Sequence, residues 1–169
     1  MSIFTMGIDV GSTASKCVII KDGKEIVSTA VISVGTGTSG PSRAMKEALE
    51  KIGLTSVDQL QGAVATGYGR NSIAEVPAQM SELSCHAKGA YFLFPNVHSI
   101  VDIGGQDSKA LKVGDNGMLE NFVMNDKCAA GTGRFLDVIA KVLEVGLEDL
   151  EKLDEKSTVD VPISSTCTV

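Results

Sequence analysis

Ile8-Asp9-Val10-Gly11-Ser12-Thr13-Ala14-Ser15-Lys16 decides the fold of this chain, because it returns as Val101-Asp102-Ile103-Gly104-Gly105-Gln106-Asp107-Ser108-Lys109. Asp, Gly, Ser and Lys recur in register. Each copy closes an apolar run that is typical of a buried strand, and each is followed by a second apolar run and a polar turn containing glycine. The repeat therefore predicts a strand, a tight glycine turn and a second strand, used twice.

Both glycine turns are candidate sites for a metal-bound nucleotide. Glycine lets backbone N–H groups approach an anion closely, because it has no Cβ. The hydroxyls of Ser12, Thr13 and Ser15 add donors to the first turn. The carboxylate that ends each strand, Asp9 or Asp102, repels a bare phosphate but can orient the waters of a Mg²⁺ that bridges phosphates. The alternative is an ordinary β-hairpin with glycine in its turn.

Composition limits the function classes. The chain has 169 residues, of which 43% are hydrophobic and 21% charged, as expected for one domain or two small ones. Its formal net charge of −6 disfavours binding to nucleic acid or to an anionic membrane. The N-terminus lacks a basic region before its short apolar stretch, and no apolar run is long enough to span a bilayer. We therefore expect a cytoplasmic protein.

Two of the four cysteines lie in segments that predict structural thiols. Cys17 belongs to an apolar strand, and Cys85 to an apparent helix over residues 81–94. No C-x-x-C motif occurs. Because disulfides are rare in the cytoplasm, free buried thiols are the expected state of both residues.

The other two cysteines lie in polar loops, Cys128 in residues 125–133 and Cys167 in residues 163–169. The first loop leads into an amphipathic helix, and Cys128 should lie near the helix N-terminus, whose partial positive charge favours a thiolate. Two cysteines are half of a four-cysteine iron–sulfur site, which a two-fold axis between two copies could complete. Incidental loop thiols are the alternative. The apolar residues of this helix are Phe135, Val138, Ile139, Val142 and Leu143.

The rest of the chain predicts an α/β scaffold with mixed strand directions. A third strand over residues 24–32 makes the N-terminus an antiparallel meander. A helix with Pro41 in its first turn follows, and then come a short strand at residues 62–67, the helix at 81–94 and a strand at 98–103. The acidic residues 147–155 indicate a solvated helix. The buried stripe predicted for the first helix is Met45, Ala48, Leu49 and Ile52.

Residues 35–40 read Gly-Thr-Gly-Thr-Ser-Gly and match the G-x-G-x-x-G dinucleotide pattern before a helix. The strand before them belongs to a meander rather than to a βαβ unit, which disfavours that interpretation. We expect a connector, or a loop with backbone donors near the nucleotide. No G-x-x-x-x-G-K-[ST] motif occurs, so a P-loop is excluded.

The two repeated motifs resemble the phosphate-1 (residues 8–16) and phosphate-2 (residues 101–107) motifs of the superfamily that includes actin, Hsp70 and sugar kinases. Together with residues 35–41, 65–70, 81–86, 125–136 and 163–169, they resemble the activators of 2-hydroxyacyl-CoA dehydratases, relatives of the benzoyl-CoA reductase ATPase subunits. The resemblance implies a ribonuclease H-like lobe with a mixed sheet flanked by helices and an incomplete second lobe. Residues 1–169 would form the N-terminal part of an actin-like ATPase domain.

The resemblance further implies an oxygen-sensitive homodimer of an anaerobic fermentation that holds one [4Fe–4S] cluster through Cys128 and Cys167 of each protomer. It implies ATP or ADP with Mg²⁺, and an electron that passes from reduced ferredoxin or flavodoxin to the dehydratase. Catalytic roles fall to Asp9, Asp102 and Gln106. The implied nucleotide-binding residues are Gly11, Ser12, Thr13, Ala14, Ser15, Lys16, Gly104, Gly105 and Gln106.

Members of this family continue beyond the block that ends here at Val169, and we expect the further part to carry the adenosine-binding glycine motif. Two other functions stay open. One is a small-molecule kinase of the same superfamily, in which Asp102 or Asp107 serves as base or metal ligand. The other is a non-catalytic lobe that binds a partner.

Overall fold

The computed structural model describes residues 2–125 and 131–160. The described chain divides into two compact units at the junction of His86 and Ala87. The first unit contains the first copy of the repeated motif, and the second unit contains the second copy. Each unit is built around its own sheet.

The first unit is a five-stranded sheet in the order β3-β2-β1-β4-β5. Strands β1 and β2 form the predicted hairpin, and β3 continues it as the predicted antiparallel meander. Strand β4 runs parallel to β1, so the mixed strand directions are confirmed. The strands are β1 (Phe4–Val10), β2 (Ser15–Lys21), β3 (Glu25–Ile32), β4 (Gly62–Thr66) and β5 (Ala78–Gln79).

Helix α1 (Gly40–Glu50) covers one face of this sheet, and Pro41 lies in its first turn as predicted. Pro suits that position because the N–H it lacks would have no partner within the helix. Alternate residues of β1 point to α1, and they are almost fully buried. The core consists mainly of Met6, Ile8, Val10, Cys17, Ile19, Ala44, Met45, Ala48, Leu49 and Ala65.

The second unit holds a three-stranded antiparallel sheet in the order β6-β7-β8, formed by β6 (Ser99–Ile103), β7 (Ser108–Val113) and β8 (Leu119–Asn125). The unit boundary falls within helix α2 (Glu82–Leu93). In the second unit, Tyr91 Oη donates to the Asp115 carbonyl at 2.6 Å and Lys88 Nζ to the Asn116 carbonyl at 2.9 Å. These bonds fix the predicted β7–β8 turn, where Gly117 has a φ of 72°.

Two helices follow β8 and confirm the sequence prediction, namely α3 (Gly133–Val142) and the solvated α4 (Asp149–Asp154). The apolar stripe of α3 is largely open to solvent at its end, since Val142 is 71% and Leu143 52% exposed. Helical periodicity shows which side of a helix is apolar, but it does not show what covers that side. No described helix is long and apolar enough to cross a bilayer.

Candidate functional site

The two glycine turns have the same hydrogen-bonded geometry. The Gly11 N–H donates to the Ala14 carbonyl at 3.0 Å, and the Gly104 N–H donates to the Asp107 carbonyl at 2.8 Å. Each turn therefore joins its two strands over four residues. Ser12, Thr13 and Gln106, which we predicted to contact a nucleotide, lie within these turns and are exposed to solvent.

Each motif lysine pairs with the strand-end aspartate of the same motif. Lys16 lies directly opposite Asp9 in the β1–β2 register, and its Nζ is 2.9 Å from Asp9 Oδ2. Lys109 lies opposite Asp102 in the β6–β7 register. Its Nζ is 3.4 Å from Asp102 Oδ2 and 3.1 Å from Asp107 Oδ2. The lysine partly neutralises the carboxylate, so an anionic ligand meets less repulsion than a lone Asp would cause.

The two lysines differ strongly in burial. The side chain of Lys16 is 47% exposed, whereas that of Lys109 is only 4% exposed. A buried ammonium needs paired charges, and Lys109 has two carboxylates. Lys109 therefore holds the second turn together, while Lys16 remains accessible to a ligand.

Ser15 departs from the sequence prediction. Its side chain is fully buried, and its hydroxyl donates to the Val34 carbonyl at 2.9 Å. The single hydroxyl hydrogen is therefore used within the fold, and the structure does not offer the Ser15 side chain as a donor to an anion. Ser12 and Thr13 are exposed to solvent, and their role as donors stays a prediction.

The glycine-rich segment at residues 35–40 lies against the first turn. Its Thr36 N–H donates to the Gly11 carbonyl at 2.9 Å. The preceding strand β3 is antiparallel to β2, so the segment opens no βαβ unit and the dinucleotide interpretation is wrong. The segment connects β3 to α1, as expected of a connector, and its role as a donor near a nucleotide stays a prediction.

Thr66 lies beside the predicted site residue Asp9 and was not among the residues that the sequence indicated. It ends β4 and lies opposite Asp9 in the parallel β1–β4 register. Its hydroxyl is buried and has no hydrogen-bond partner within the described chain. Because protein atoms cover this oxygen almost completely, an external ligand cannot reach it in this conformation. Parallel pairing brings strand ends to the same sheet edge, and that is the signal that could have identified Thr66.

A cavity of about 380 Å³ opens on the face of the first sheet that α1 does not cover. Asp9, Lys16 and Thr66 line it, together with apolar strand residues and Cys85 of α2. The exposed lining of this cavity is nearly all apolar, so its polar side chains contribute little surface to it. A lining of this kind fits an apolar group rather than a phosphate.

Cys17 is a structural thiol, as predicted. Its side chain is 3% exposed and belongs to the core of the first unit. Burial raises the pKa of this thiol from its ordinary value of 9.0 to about 12. Cys85 is half-buried. Cys128 and Cys167, the predicted cluster ligands, lie outside the described residues.

The second glycine turn is bonded to the start of α3. The Gly133 N–H donates to the Gly104 carbonyl at 2.9 Å, and the Arg134 N–H donates to the Gly105 carbonyl at 3.0 Å. These N–H groups belong to the first helical turn, which has no acceptors within its own helix. The second glycine turn thus supplies the acceptors for the helix that follows Cys128 in the sequence.

Two sheets that each begin with a hairpin closed by a glycine turn define a protein with the fold of actin- and sugar-kinase-like ATPases. Ethanolamine utilization protein EutJ from Carboxydothermus hydrogenoformans shares this fold, with a TM-score of 0.61 over 90% of this chain and 61% of that one; at 16% identity the likeness concerns the fold alone.

The chain belongs to the BadF/BadG/BcrA/BcrD ATPase family, whose profile matches residues 6–169. It is 62% identical over 170 residues to the (R)-2-hydroxyglutaryl-CoA dehydratase activating ATPase of Acidaminococcus fermentans, an alignment that covers 100% of this chain and 65% of that protein. It is 57% identical over 167 residues to the activator of lactoyl-CoA dehydratase of Anaerotignum propionicum, covering 99% of this chain and 64% of that one.

Two solved structures give the same result. Component A of the Acidaminococcus fermentans (R)-2-hydroxyglutaryl-CoA dehydratase superposes with a TM-score of 0.90 at 60% identity, over 98% of this chain and 64% of that one. The second structure is the activator of the 2-hydroxyisocaproyl-CoA dehydratase from Clostridium difficile, solved with bound ADPNP. It superposes with a TM-score of 0.87 at 54% identity, over 98% of this chain and 62% of that one. The chain thus spans less than two thirds of the length of these relatives.

Proposed function

We propose that this chain acts as the nucleotide-responsive part of an ATP-driven electron donor that activates a 2-hydroxyacyl-CoA dehydratase. Its relatives at 62% and 57% identity are named as activators of such enzymes. Residues 1–169 would then be the N-terminal part of an actin-like ATPase domain. The proposal has three parts, namely nucleotide binding at the glycine turns, an iron–sulfur cluster, and a structural connection between the nucleotide site and the cluster.

Mg²⁺ with ATP or ADP would bind at the glycine turns. The related activator with bound ADPNP supports a nucleotide as the ligand. Gly11 and Gly104 leave the backbone open to phosphates, Lys16 offers an accessible positive charge, and Asp9 can order the waters of the metal ion.

Cys128 and Cys167 would hold an iron–sulfur cluster. Two thiolates from one chain give half of a four-cysteine set, so two copies of the chain would share one [4Fe–4S] cluster as a homodimer. When bound, the cluster supplies a one-electron carrier of low potential. The protein would gain one electron from reduced ferredoxin or flavodoxin and lose it to the dehydratase.

One observation carries the proposal, namely the bonds from Gly133 N–H and Arg134 N–H to the carbonyls of Gly104 and Gly105. A third bond, from Ser108 Oγ to the Gly131 carbonyl at 2.9 Å, joins the start of β7 to the same segment. Any shift of the phosphate-2 turn on loss of the γ-phosphate would therefore displace the start of α3. Since Cys128 lies five residues before Gly133 in the sequence, nucleotide state and cluster would be linked by a short path.

The decisive experiment removes one of these bonds without removing the helix. Arg134 holds the place that Pro41 holds in α1, the second helical residue in both cases, so Arg134→Pro is compatible with a helix start and eliminates only the N–H donor and the guanidinium. Arg134→Ala is the matched control, because it loses the guanidinium but keeps the N–H.

We expect Arg134→Pro to hydrolyse Mg-ATP at a rate within about twofold of wild type while ATP-dependent reduction of the dehydratase falls at least about tenfold. Arg134→Ala should retain both activities. Electron transfer by Arg134→Pro at the wild-type rate would refute the link. ADP release that depends on a hydroxylated small molecule, without a dehydratase, would instead support a kinase.

A further inference from the structure

The glycine-rich segment at residues 35–40 is the motif that the proposed function leaves unexplained. One bond joins this segment to the hairpin of the first glycine turn, and a second joins the hairpin to Val34, the residue just before the segment. The Thr36 N–H donates to the Gly11 carbonyl at 2.9 Å, and the Ser15 hydroxyl donates to the Val34 carbonyl at 2.9 Å. Within the segment, Thr38 Oγ1 donates to the Gly35 carbonyl at 2.6 Å. The loop is therefore held in place by a bond within itself and by its bond to the turn.

Gly35 approaches the turn too closely for any side chain. A Cβ at this position would overlap the Gly11 carbonyl oxygen and the backbone of Ser12. Backbone atoms cannot move aside as the end of a flexible side chain can, so a larger residue must displace either the loop or the turn. The position thus requires glycine because of this contact.

Gly69 makes a similar approach from a second loop. Its N–H donates to the Val10 carbonyl at 2.8 Å, one residue before the turn. A Cβ at Gly69 would overlap the side chains of Thr36 and Val10. The Thr36 side chain of the first loop therefore lies against the second loop, and the carbonyls of Val10 and Gly11 each accept a bond from a different loop.

We propose that Gly35 and Gly69 are positioning residues of the phosphate-1 turn, and that their two loops hold its backbone in the geometry that receives the phosphates of a nucleotide. This inference rests on the proposed function, since it concerns the same nucleotide site. The loops act through the turn and need not touch the ligand. A change in these loops should therefore weaken the binding of a phosphate ligand equally with and without a nucleoside attached.

The test is calorimetric titration of wild type and Gly35→Ala with Mg-ATP and with Mg-tripolyphosphate, which lacks the nucleoside. Gly89→Ala is the matched control, because a Cβ at Gly89 meets no atom within 4 Å. Ser15→Ala, which removes only the tether to Val34, is a second variant that decides the result if Gly35→Ala does not fold. Circular dichroism establishes folding.

We expect Gly35→Ala to bind both probes at least about tenfold more weakly, Ser15→Ala to bind both measurably more weakly, and Gly89→Ala to bind as wild type does. Wild-type affinity in a folded Gly35→Ala would overturn the positioning role, and so would loss of Mg-ATP binding with Mg-tripolyphosphate binding intact. If Gly35→Ala does not fold, wild-type affinity of Ser15→Ala for both probes would overturn the positioning role. Wild-type protein that binds neither probe would refute the proposed function itself.

Discussion

Ser15 and Ser108 occupy equivalent positions in two hairpins and make similar hydrogen bonds. Each begins the second strand of its hairpin, and each hydroxyl donates at 2.9 Å to a carbonyl of the loop before the next helix, Val34 in one case and Gly131 in the other. The two serines are 93 residues apart. Asp9 and Asp102 are also 93 residues apart, and so are the first residues of α1 and α3. The chain therefore repeats a strand–strand–strand–helix unit with constant spacing.

The repeat also shows where the two units differ. Ile8 and Val10 are completely buried beneath α1, whereas their counterparts Val101 and Ile103 are 75% and 64% exposed. In α3, Asp137 and Lys141 occupy the positions that the buried Ala44 and Ala48 occupy in α1. Docking α3 as α1 docks would bury these two charges, which is unfavourable. The second sheet therefore keeps an apolar face that no described residue covers.

This difference predicts unequal costs for equivalent truncations. We expect Ile8→Ala to lower the free energy of unfolding by about 2–5 kcal/mol, because it leaves a cavity in the core. Val101→Ala should cost less than about 0.5 kcal/mol, because the side chain is mostly in solvent. Urea unfolding of both variants gives the comparison. Equal losses would show that another surface covers Val101 in solution.

Equivalent lysines should also differ. Lys109→Met removes the partner of two carboxylates from a buried position, and we expect it to cost about 2–4 kcal/mol, somewhat less than a fully buried pair because the carboxylates are about 30% exposed. Lys16→Met should cost about 0–1 kcal/mol, since that pair is largely exposed. Thermal and urea unfolding measure both. A loss for Lys16→Met as large as that for Lys109→Met would contradict this account of the two turns.

The raised pKa of Cys17 predicts a loss of stability at alkaline pH. The thiol ionises near pH 9.0 in the unfolded chain but only near 12 in the folded one, so this stabilisation is complete below pH 9 and decreases as the pH rises towards 12. The stability advantage of wild type over Cys17→Ala should therefore shrink by about 1–2 kcal/mol between about pH 8 and about pH 10.5. Urea unfolding at both pH values tests this; a constant difference would contradict it.

The sequence was sufficient to predict the hairpins, the helices and the glycine turns, because each depends on residues close together in the chain. Thr66 was missed, since its position beside Asp9 depends on a parallel pairing across more than fifty residues. The side-chain role of Ser15 was wrong for a related reason. A hydroxyl in a phosphate motif indicates a ligand contact, but only the folded chain shows that the Val34 carbonyl takes its hydrogen.

Iron analysis tests the central claim most directly. The protein, purified without oxygen, should contain about four irons and matching sulfide per dimer, with a brown colour that air bleaches. Cys128→Ala should lose the iron, while Cys85→Ala, which changes a thiol assigned no ligand role, should keep it. A colourless monomer, or iron retained without Cys128, would contradict a cluster shared by two copies of this chain.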